Sequence, residues 1–141
     1  MTQTYESITL DDAKQMLSAA EAKATSLGIA YAIALVDAGG HLAAFVRQDG
    51  SKIGCIDLAI GKAVTARIFD TPTSELAALA QTGQPLFGIQ QTNAGRVVIL
   101  GGGLPILRAG KVIGAVGASA GTADQDIAVS RAAIEALHGA S

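Results

Sequence analysis

Lys62 is the charged residue whose place in the sequence points most directly to chemistry. Three of its four neighbours one turn away on a predicted helix are apolar, and these are Leu58, Ala59 and Ala66. A lysine within an apolar stripe must reach solvent, pair with a carboxylate such as Asp37 or Asp49, or contact an anionic ligand. In contact with a ligand, Lys62 or Asp37 can move a proton next to a carbonyl group. We therefore expect Lys62 and Asp37 as candidate catalytic residues, with a structural ion pair as the alternative.

Two further segments offer backbone donors to the same ligand. The first is a run of three glycines, Gly101, Gly102 and Gly103. Glycine lets the backbone approach a bound molecule closely. Thr122 and Gln125 have the spacing of a capping box, and Gln125 and Asp126 lie in the first helical turn, whose N–H groups can bind an anion. Together with Lys62 these segments predict one ligand pocket. The alternative is that the glycines serve turns and packing, while Asp126 complements the helix dipole.

Arg47, Asp49 and His41 are the remaining candidate ligand contacts. Arg47 ends a predicted strand beside Asp49. Its guanidinium can bind the carboxylate of a ligand through two parallel hydrogen bonds, or it can form a surface ion pair with Asp49. His41 opens the same strand, and one exposed imidazole is sufficient as an axial ligand of haem iron. Neither His41 nor His138 has a second histidine or cysteine at metal-ligand spacing, and Cys55 is alone. We expect no metal site built from protein ligands.

Hydrophobic periodicity and turn residues predict the element order α-β-β-α-α-β-β-β-α. The predicted helices are Thr9–Leu27, Ser51 to about Phe69, Thr73–Thr82 and a last one that follows Thr122 and extends to about His138. The predicted strands are Ile29–Asp37, His41–Arg47, Arg96–Leu100, Leu104–Leu107 and Lys111–Ser119, with a short strand near Phe87–Gln90 as an alternative to a loop. This order indicates a single α+β domain over residues 1–141, in which a five-stranded antiparallel sheet is layered with helices.

The composition excludes several classes of protein. Hydrophobic residues make up 50 % of the 141 residues and charged residues 16 %, which is incompatible with intrinsic disorder. The net charge of −2 leaves no basic excess for nucleic acid, and the apolar run from Ile29 to Val36 is too short to span a membrane. So few charges on a small domain predict a homo-oligomer that covers apolar surface. The N-terminus lacks a secretory signal pattern, so we expect a cytoplasmic location.

Short motifs follow one another in a fixed order along nearly the whole chain. They are Val36-Asp37, Gly40-His41-Leu42, Ala44-Phe45, Arg47, Asp49-Gly50, Ala59, Lys62-Ala63, Thr65-Ala66, Gly101-Gly102-Gly103, Pro105-Ile106, Gly110, Gly114-Ala115, Gly117, Ser119 and Gln125-Asp126. This ordered set resembles the HbpS/GlcG-like family of haem-binding and haem-degrading-like proteins, which includes the C-terminal domain of PduO-type corrinoid adenosyltransferases. The resemblance implies a helix–sheet–helix domain with a five-stranded antiparallel sheet, assembly into dimers or larger oligomers, and haem as a cofactor of some members.

Three functions follow as hypotheses. The first is a haem- or tetrapyrrole-binding or haem-degrading-like protein, which rests on the resemblance and on His41, although the chain has few aromatic residues for a haem crevice. The second is an enzyme or accessory factor for a small anionic metabolite, such as a hydroxy- or oxo-acid, held by Lys62, Arg47 and backbone N–H groups. The third is a structural or regulatory oligomer without catalysis.

Overall fold

A four-stranded antiparallel sheet is the central layer of the computed structural model, which describes residues 1–139. Its strands are β1 (Ala32–Asp37), β2 (Leu42–Arg47), β3 (Gly103–Arg108) and β4 (Lys111–Ser119), in the spatial order β2-β1-β4-β3. The helices are α1 (Leu10–Leu27), α2 (Gly54–Phe69), α3 (Thr73–Leu79) and α4 (Ala123–Gly139). Two short 3-10 turns, Ile89–Gln91 and Asn93–Gly95, lie between α3 and β3. The α+β class is confirmed.

Strand β1 is buried on both faces, which explains its continuous apolar sequence. Ile33 and Leu35 belong to the core that α1 and α4 cover, whereas Ala32, Ala34 and Val36 belong to a second core under α2. The molecule is therefore a helix–sheet–helix sandwich, as the resemblance implied.

Helix α2 packs closely on the sheet because both surfaces are made of small residues. Its buried face includes Ala59 and Ala63. Below it, Gly103, Gly117 and Ala34 lie side by side across β3, β4 and β1. A side chain on Gly117 would meet the Ala59 carbonyl and the Ala63 nitrogen. The glycines of the sheet thus set how near α2 lies to β4.

The prediction of a fifth strand at Arg96–Leu100 is wrong. The segment leaves a 3-10 turn and lies against α2, where the Val98 N–H donates to Thr65 Oγ1 at 2.9 Å. The absence of a side chain on Gly61 leaves room for Val98, since a Cβ there would be 2.5 Å from Val98 Cγ2. The β-branched composition of the segment therefore reflects burial against a helix rather than sheet pairing. The five-stranded sheet that the resemblance implied is corrected to four strands over residues 1–139.

Several element ends also differ from the prediction. Helix α2 begins at Gly54 rather than at Ser51 and has no side-chain cap, because Ile53 occupies its N-cap position and has no polar side-chain atom. Helix α3 ends at Leu79 rather than at Thr82. The alternative short strand near Phe87–Gln90 is a turn that enters a 3-10 helix.

The predicted helix at Thr9–Leu27 and the first two predicted strands are confirmed. Thr9 and Asp12 form a reciprocal capping box at the start of α1, and Gly28 ends this helix in the left-handed conformation. The strands β1 and β2 form an antiparallel hairpin. No helix within residues 1–139 has both the length and the apolar character needed to cross a bilayer.

We predict that Gly117→Ala destabilises the fold by about 1–3 kcal/mol, because the added methyl group overpacks the contact between α2 and β4. Urea unfolding followed by circular dichroism measures this free energy. Gly54→Ala is the matched control, since a Cβ there meets nothing within 4 Å at the start of α2. Equal free energies of unfolding for Gly117→Ala and the wild type would contradict the close packing of α2.

Candidate functional site

A buried ion pair joins α2 to α4 at the end of β4. Lys62 Nζ donates to Asp126 Oδ2 at 2.8 Å and to the Ala118 carbonyl at 3.0 Å. The two charged residues are 2 % and 3 % exposed. The other carboxylate oxygen, Asp126 Oδ1, accepts the N–H groups of Ala120 at 3.3 Å and Gly121 at 2.9 Å. The charged partner of Lys62 is therefore Asp126, a residue distant in sequence.

The suggestion that Lys62 pairs with Asp37 or Asp49 is wrong. Asp37 lies at the far end of β1 and Asp49 is exposed after β2. The Lys62 side chain extends instead from α2 to the turn between β4 and α4, where the Asp126 carboxylate also binds backbone N–H groups.

The second glycine of the Gly101–Gly103 run is required next to this ion pair. A Cβ on Gly102 would lie 3.0 Å from Lys62 Nζ and 2.9 Å from Asp126 Cβ, and its φ is +127°. Its carbonyl accepts the Ser130 hydroxyl at 2.6 Å. Gly103 is fixed through its N–H, which donates to Thr73 Oγ1 at 2.9 Å. The glycine run therefore closes over the ion pair and is held there by side chains of α3 and α4.

Tyr31 places a third ionisable group beside Asp126. The ring is fully buried, and its hydroxyl makes no hydrogen bond of good geometry although the Asp126 carboxylate and the Gly121 N–H are close. Burial raises the pKa of the Tyr31 phenol well above its ordinary value, and the neighbouring Asp126 carboxylate raises it further. Sequence reasoning missed Tyr31, because a tyrosine at the start of an apolar strand looks like any other core residue.

A cavity of about 290 Å³ opens beside the ion pair. Its lining includes Lys52, Cys55, Leu58, Lys62, Leu100, Gly101, Ser119, Ala120, Gly121, Ala123 and Asp126. Lys62, the first glycine of the run and the start of α4 thus lie around one cavity. We call it the ion-pair cavity.

Thr122 and Gln125 bind each other next to this cavity. The Thr122 N–H donates to Gln125 Oε1 at 2.9 Å, and the Gln125 N–H donates to Thr122 Oγ1 at 3.2 Å. This is the predicted capping box. Because it occupies both side chains, their polar groups serve the start of α4, and their role as ligand contacts stays a prediction.

Asp37 and His41 lie at the opposite end of the sheet from Lys62. Asp37 Oδ1 accepts the N–H groups of Gly39 at 2.9 Å and His41 at 3.0 Å, which orders the hairpin turn. Ser119, at the Lys62 end of the sheet, pairs with Ala32, the first residue of β1, whereas Asp37 is the last residue of β1. The five residue steps from Ala32 to Asp37 correspond to roughly 17 Å along the strand. The structure therefore does not bring the two candidate catalytic residues, Lys62 and Asp37, together.

Arg47 and Asp49 are both exposed. Arg47 ends the edge strand β2, where it pairs with Ala32, and Ala32 pairs in turn with Ser119. Arg47 is thus at the same end of the sheet as the ion-pair cavity, but two strands away from it.

A larger groove lies between the N-terminal segment, the β1–β2 turn and the β3–β4 turn. It consists of a cavity of about 1060 Å³ and an adjoining one of about 510 Å³, which share Tyr5 and Arg67. Arg67 Nε donates to the Ala38 carbonyl at 2.6 Å, and its Nη1 pairs with Asp70. We call this surface the hairpin groove. Sequence reasoning missed Arg67, whose only signal is a cation in the last turn of a helix.

The described residues offer no cluster for a bare metal ion. Within residues 1–139, no group of three His, Cys, Asp or Glu side chains is close enough to hold one. Iron that arrives in a porphyrin needs only an axial ligand from the protein.

We predict that Lys62→Met lowers the free energy of unfolding by about 3–5 kcal/mol, because it leaves the buried Asp126 carboxylate without its cation. The double variant Lys62→Met/Asp126→Leu removes both charges and recovers part of this loss, because the Ala120 and Gly121 N–H groups still lose their acceptor. Urea unfolding of wild type, both single variants and the double variant measures the coupling. Additive effects of the two substitutions would contradict a direct interaction.

A second prediction concerns the pH dependence due to Tyr31. The native phenol holds its proton more tightly than an unfolded tyrosine, so unfolding releases a proton above about pH 10 and wild-type stability falls there as pH rises. Tyr31→Phe lacks this contribution and is at least as stable as the wild type near neutral pH, since it removes an unpaired hydroxyl. Unfolding by urea at about pH 7 and about pH 11 compares the two proteins. A less stable variant near neutral pH would show that the hydroxyl makes a favourable bond.

Comparison with known proteins identifies relatives along almost the whole chain. The family model described as "Haem degrading protein HbpS-like" matches residues 8–135. An uncharacterised 15.0 kDa protein from the dhaT-dhaS intergenic region of Citrobacter freundii is 40 % identical over 134 residues, which cover 95 % of this chain and 94 % of the relative. The corrinoid adenosyltransferase PduO of the same organism is 33 % identical, over 94 % of this chain but only 39 % of its own length.

A solved structure extends this similarity to three dimensions. The crystal structure of a PduOC–haem complex is 33 % identical and superimposes with a TM-score of 0.88, over 92 % of this chain and 94 % of the other. The family model and the curated relatives lead to the same assignment as the ordered motifs. The chain belongs to the HbpS-like family.

Proposed function

We propose that this chain binds haem, and that the hairpin groove is where it does so. The observation that carries the proposal is the 33 % identity and TM-score of 0.88 to a domain whose crystal structure is a haem complex. The motifs around His41 resemble those of the HbpS/GlcG-like family of haem-binding proteins, which supports the same function. Haem binding is the function proposed, and haem degradation is not needed to explain any feature of the groove.

The size of the hairpin groove supports it as the binding surface. Pockets for drug-sized ligands have volumes of about 300–1,000 Å³, and the larger cavity of the groove has about 1060 Å³. The ion-pair cavity, with about 290 Å³, is too small for a porphyrin macrocycle in a single chain.

The side chains of the groove fit the chemistry of haem. The His41 imidazole lies beside Gly39, which lines the groove, and His41 is exposed. Arg67 and Lys111 line the groove and can bind the carboxylates of a porphyrin, while Tyr5 and Leu107 offer exposed apolar surface. We assign His41 as the axial ligand. Bound haem would supply iron-centred redox chemistry, and these residues bind and orient it.

We predict that the wild-type protein shifts the Soret band of haem at stoichiometric concentration. His41→Ala removes the imidazole without touching the backbone N–H that binds Asp37, so we expect it to weaken binding at least tenfold and to change the spectrum. His138→Ala is the comparison variant for the second imidazole, because His138 Nε2 lies 3.1 Å from the carbonyl of Leu107, which lines the same groove. The wild type and both variants are titrated with haem in parallel.

The outcomes separate two claims. An unshifted Soret band with the wild type overturns haem binding by this chain. A shifted band that His41→Ala leaves unchanged, while His138→Ala alters it, overturns the assignment of His41 and keeps haem binding.

We also propose that the chain self-associates. Exposed large apolar side chains support this, and they include Ile53, Leu79, Phe87 and Leu100. Exposed apolar surface of this kind is commonly covered in a symmetric oligomer.

A further inference from the structure

The Lys62 ammonium has a hydrogen-bond donor that the protein does not use. A lysine ammonium carries three N–H groups. Two of them are taken by Asp126 Oδ2 and the Ala118 carbonyl, and within residues 1–139 the third has no acceptor. Lys62 is 2 % exposed and lines the ion-pair cavity. A buried donor without an acceptor is unfavourable, so a molecule that brings an oxygen into this cavity gains a hydrogen bond there.

The charges around the ion-pair cavity favour an anion. Lys52 and Lys62 line it together with one carboxylate, Asp126. Asp126 already accepts hydrogen bonds from Lys62, Ala120 and Gly121, so it has little capacity for a donor on the ligand. The lining therefore carries one net positive charge and offers donors rather than acceptors, which matches a ligand with one negative charge and more than one oxygen.

The start of α4 adds donors to the same cavity. Ala123 lines it and is the first residue of this helix of 17 residues. The N–H groups of a first helical turn have no acceptor within the helix. The capping box satisfies the N–H groups of Thr122 and Gln125, which leaves those of Ala123 and Asp124 without an acceptor among the described residues, and of these two residues Ala123 lines the cavity. The helix dipole favours negative charge at this position.

The walls limit the size of the ligand. Leu58, Leu100 and Cys55 make one side apolar, and the volume is about 290 Å³. We propose that the ion-pair cavity is a second binding site, distinct from the hairpin groove, for a carboxylic acid of a few carbons with a hydroxyl or carbonyl oxygen next to the carboxylate. The third N–H of Lys62 binds this second oxygen, while the carboxylate lies toward Lys52 and the Ala123 N–H.

Titration with lactate and with pyruvate, followed by 1H–15N NMR of the wild-type protein, tests the proposal. Acetate is the probe that lacks the second oxygen, and methylammonium is the probe of opposite charge. We expect lactate or pyruvate to shift the signals of Gly101, Gly121 and Ala123, with an affinity at least tenfold higher than that of acetate. Methylammonium should shift none of them.

Two variants remove the site in different ways. Lys62→Met/Asp126→Leu removes the donor without leaving a buried unpaired charge. Leu58→Trp fills the cavity and keeps the ion pair. Both variants should lose the lactate and pyruvate shifts, and Leu58→Trp should still bind haem as the wild type does. Lys14→Gln, on the exposed face of α1, is the matched control and should bind both acids unchanged.

Three results would overturn the proposal. The first is the absence of shifts at these residues with millimolar lactate and pyruvate. The second is equal affinity for acetate, which would show that the second oxygen is not recognised. The third is persistence of the shifts in Leu58→Trp, which would place the acids elsewhere on the protein.

Discussion

The ion pair between Lys62 and Asp126 is the constraint on which this end of the molecule depends. Removing two charges from water is costly, and the cost is offset only when the remaining hydrogen-bonding capacity of both groups is used. Within residues 1–139 the structure meets most of this requirement with backbone groups: the Ala118 carbonyl accepts from the ammonium, two N–H groups of the turn before α4 donate to the carboxylate, and one N–H of Lys62 is left over. It follows that α2, β4 and α4 cannot shift independently. The ion pair also requires a glycine at position 102, because a Cβ there would lie too close to both Lys62 and Asp126.

The two ends of the sheet have different chemical character. At the hairpin end, Asp37 orders a turn, and a wide groove is lined by the exposed Tyr5 and Lys111 and by the partly buried Arg67. Such a surface suits a large, flat ligand with peripheral carboxylates. At the other end the polar groups are buried, and all but one N–H of Lys62 and the Tyr31 hydroxyl have partners in the described part of the chain, so the small cavity beside them suits a compact acid. A sheet that is covered by helices on both faces leaves its ends as the places where ligands gain access.

Local sequence signals predicted most of the fold and only part of the site. The capping box at Thr122, helix α1 and the strands β1 and β2 depend on residues a few positions apart, so they could be predicted from the sequence. The segment Arg96–Leu100 has the composition of a strand, but its place is set by Thr65 and by the space over Gly61, which are distant in sequence. The partner of Lys62 was missed for the same reason: 64 positions separate it from Asp126. Nothing in the sequence indicates which of the acidic residues the chain brings to a buried lysine.

Direct observation of the Lys62 ammonium by NMR is the most decisive measurement. In protein labelled with 15N-lysine, the account predicts a Lys62 Nζ signal whose protons exchange slowly with water at neutral pH, because two of them are held by buried acceptors. Asp126→Asn should speed that exchange, whereas the exposed Lys14 should exchange rapidly in both proteins. A Lys62 ammonium that exchanges as fast as that of Lys14 would contradict the buried ion pair and everything argued from it.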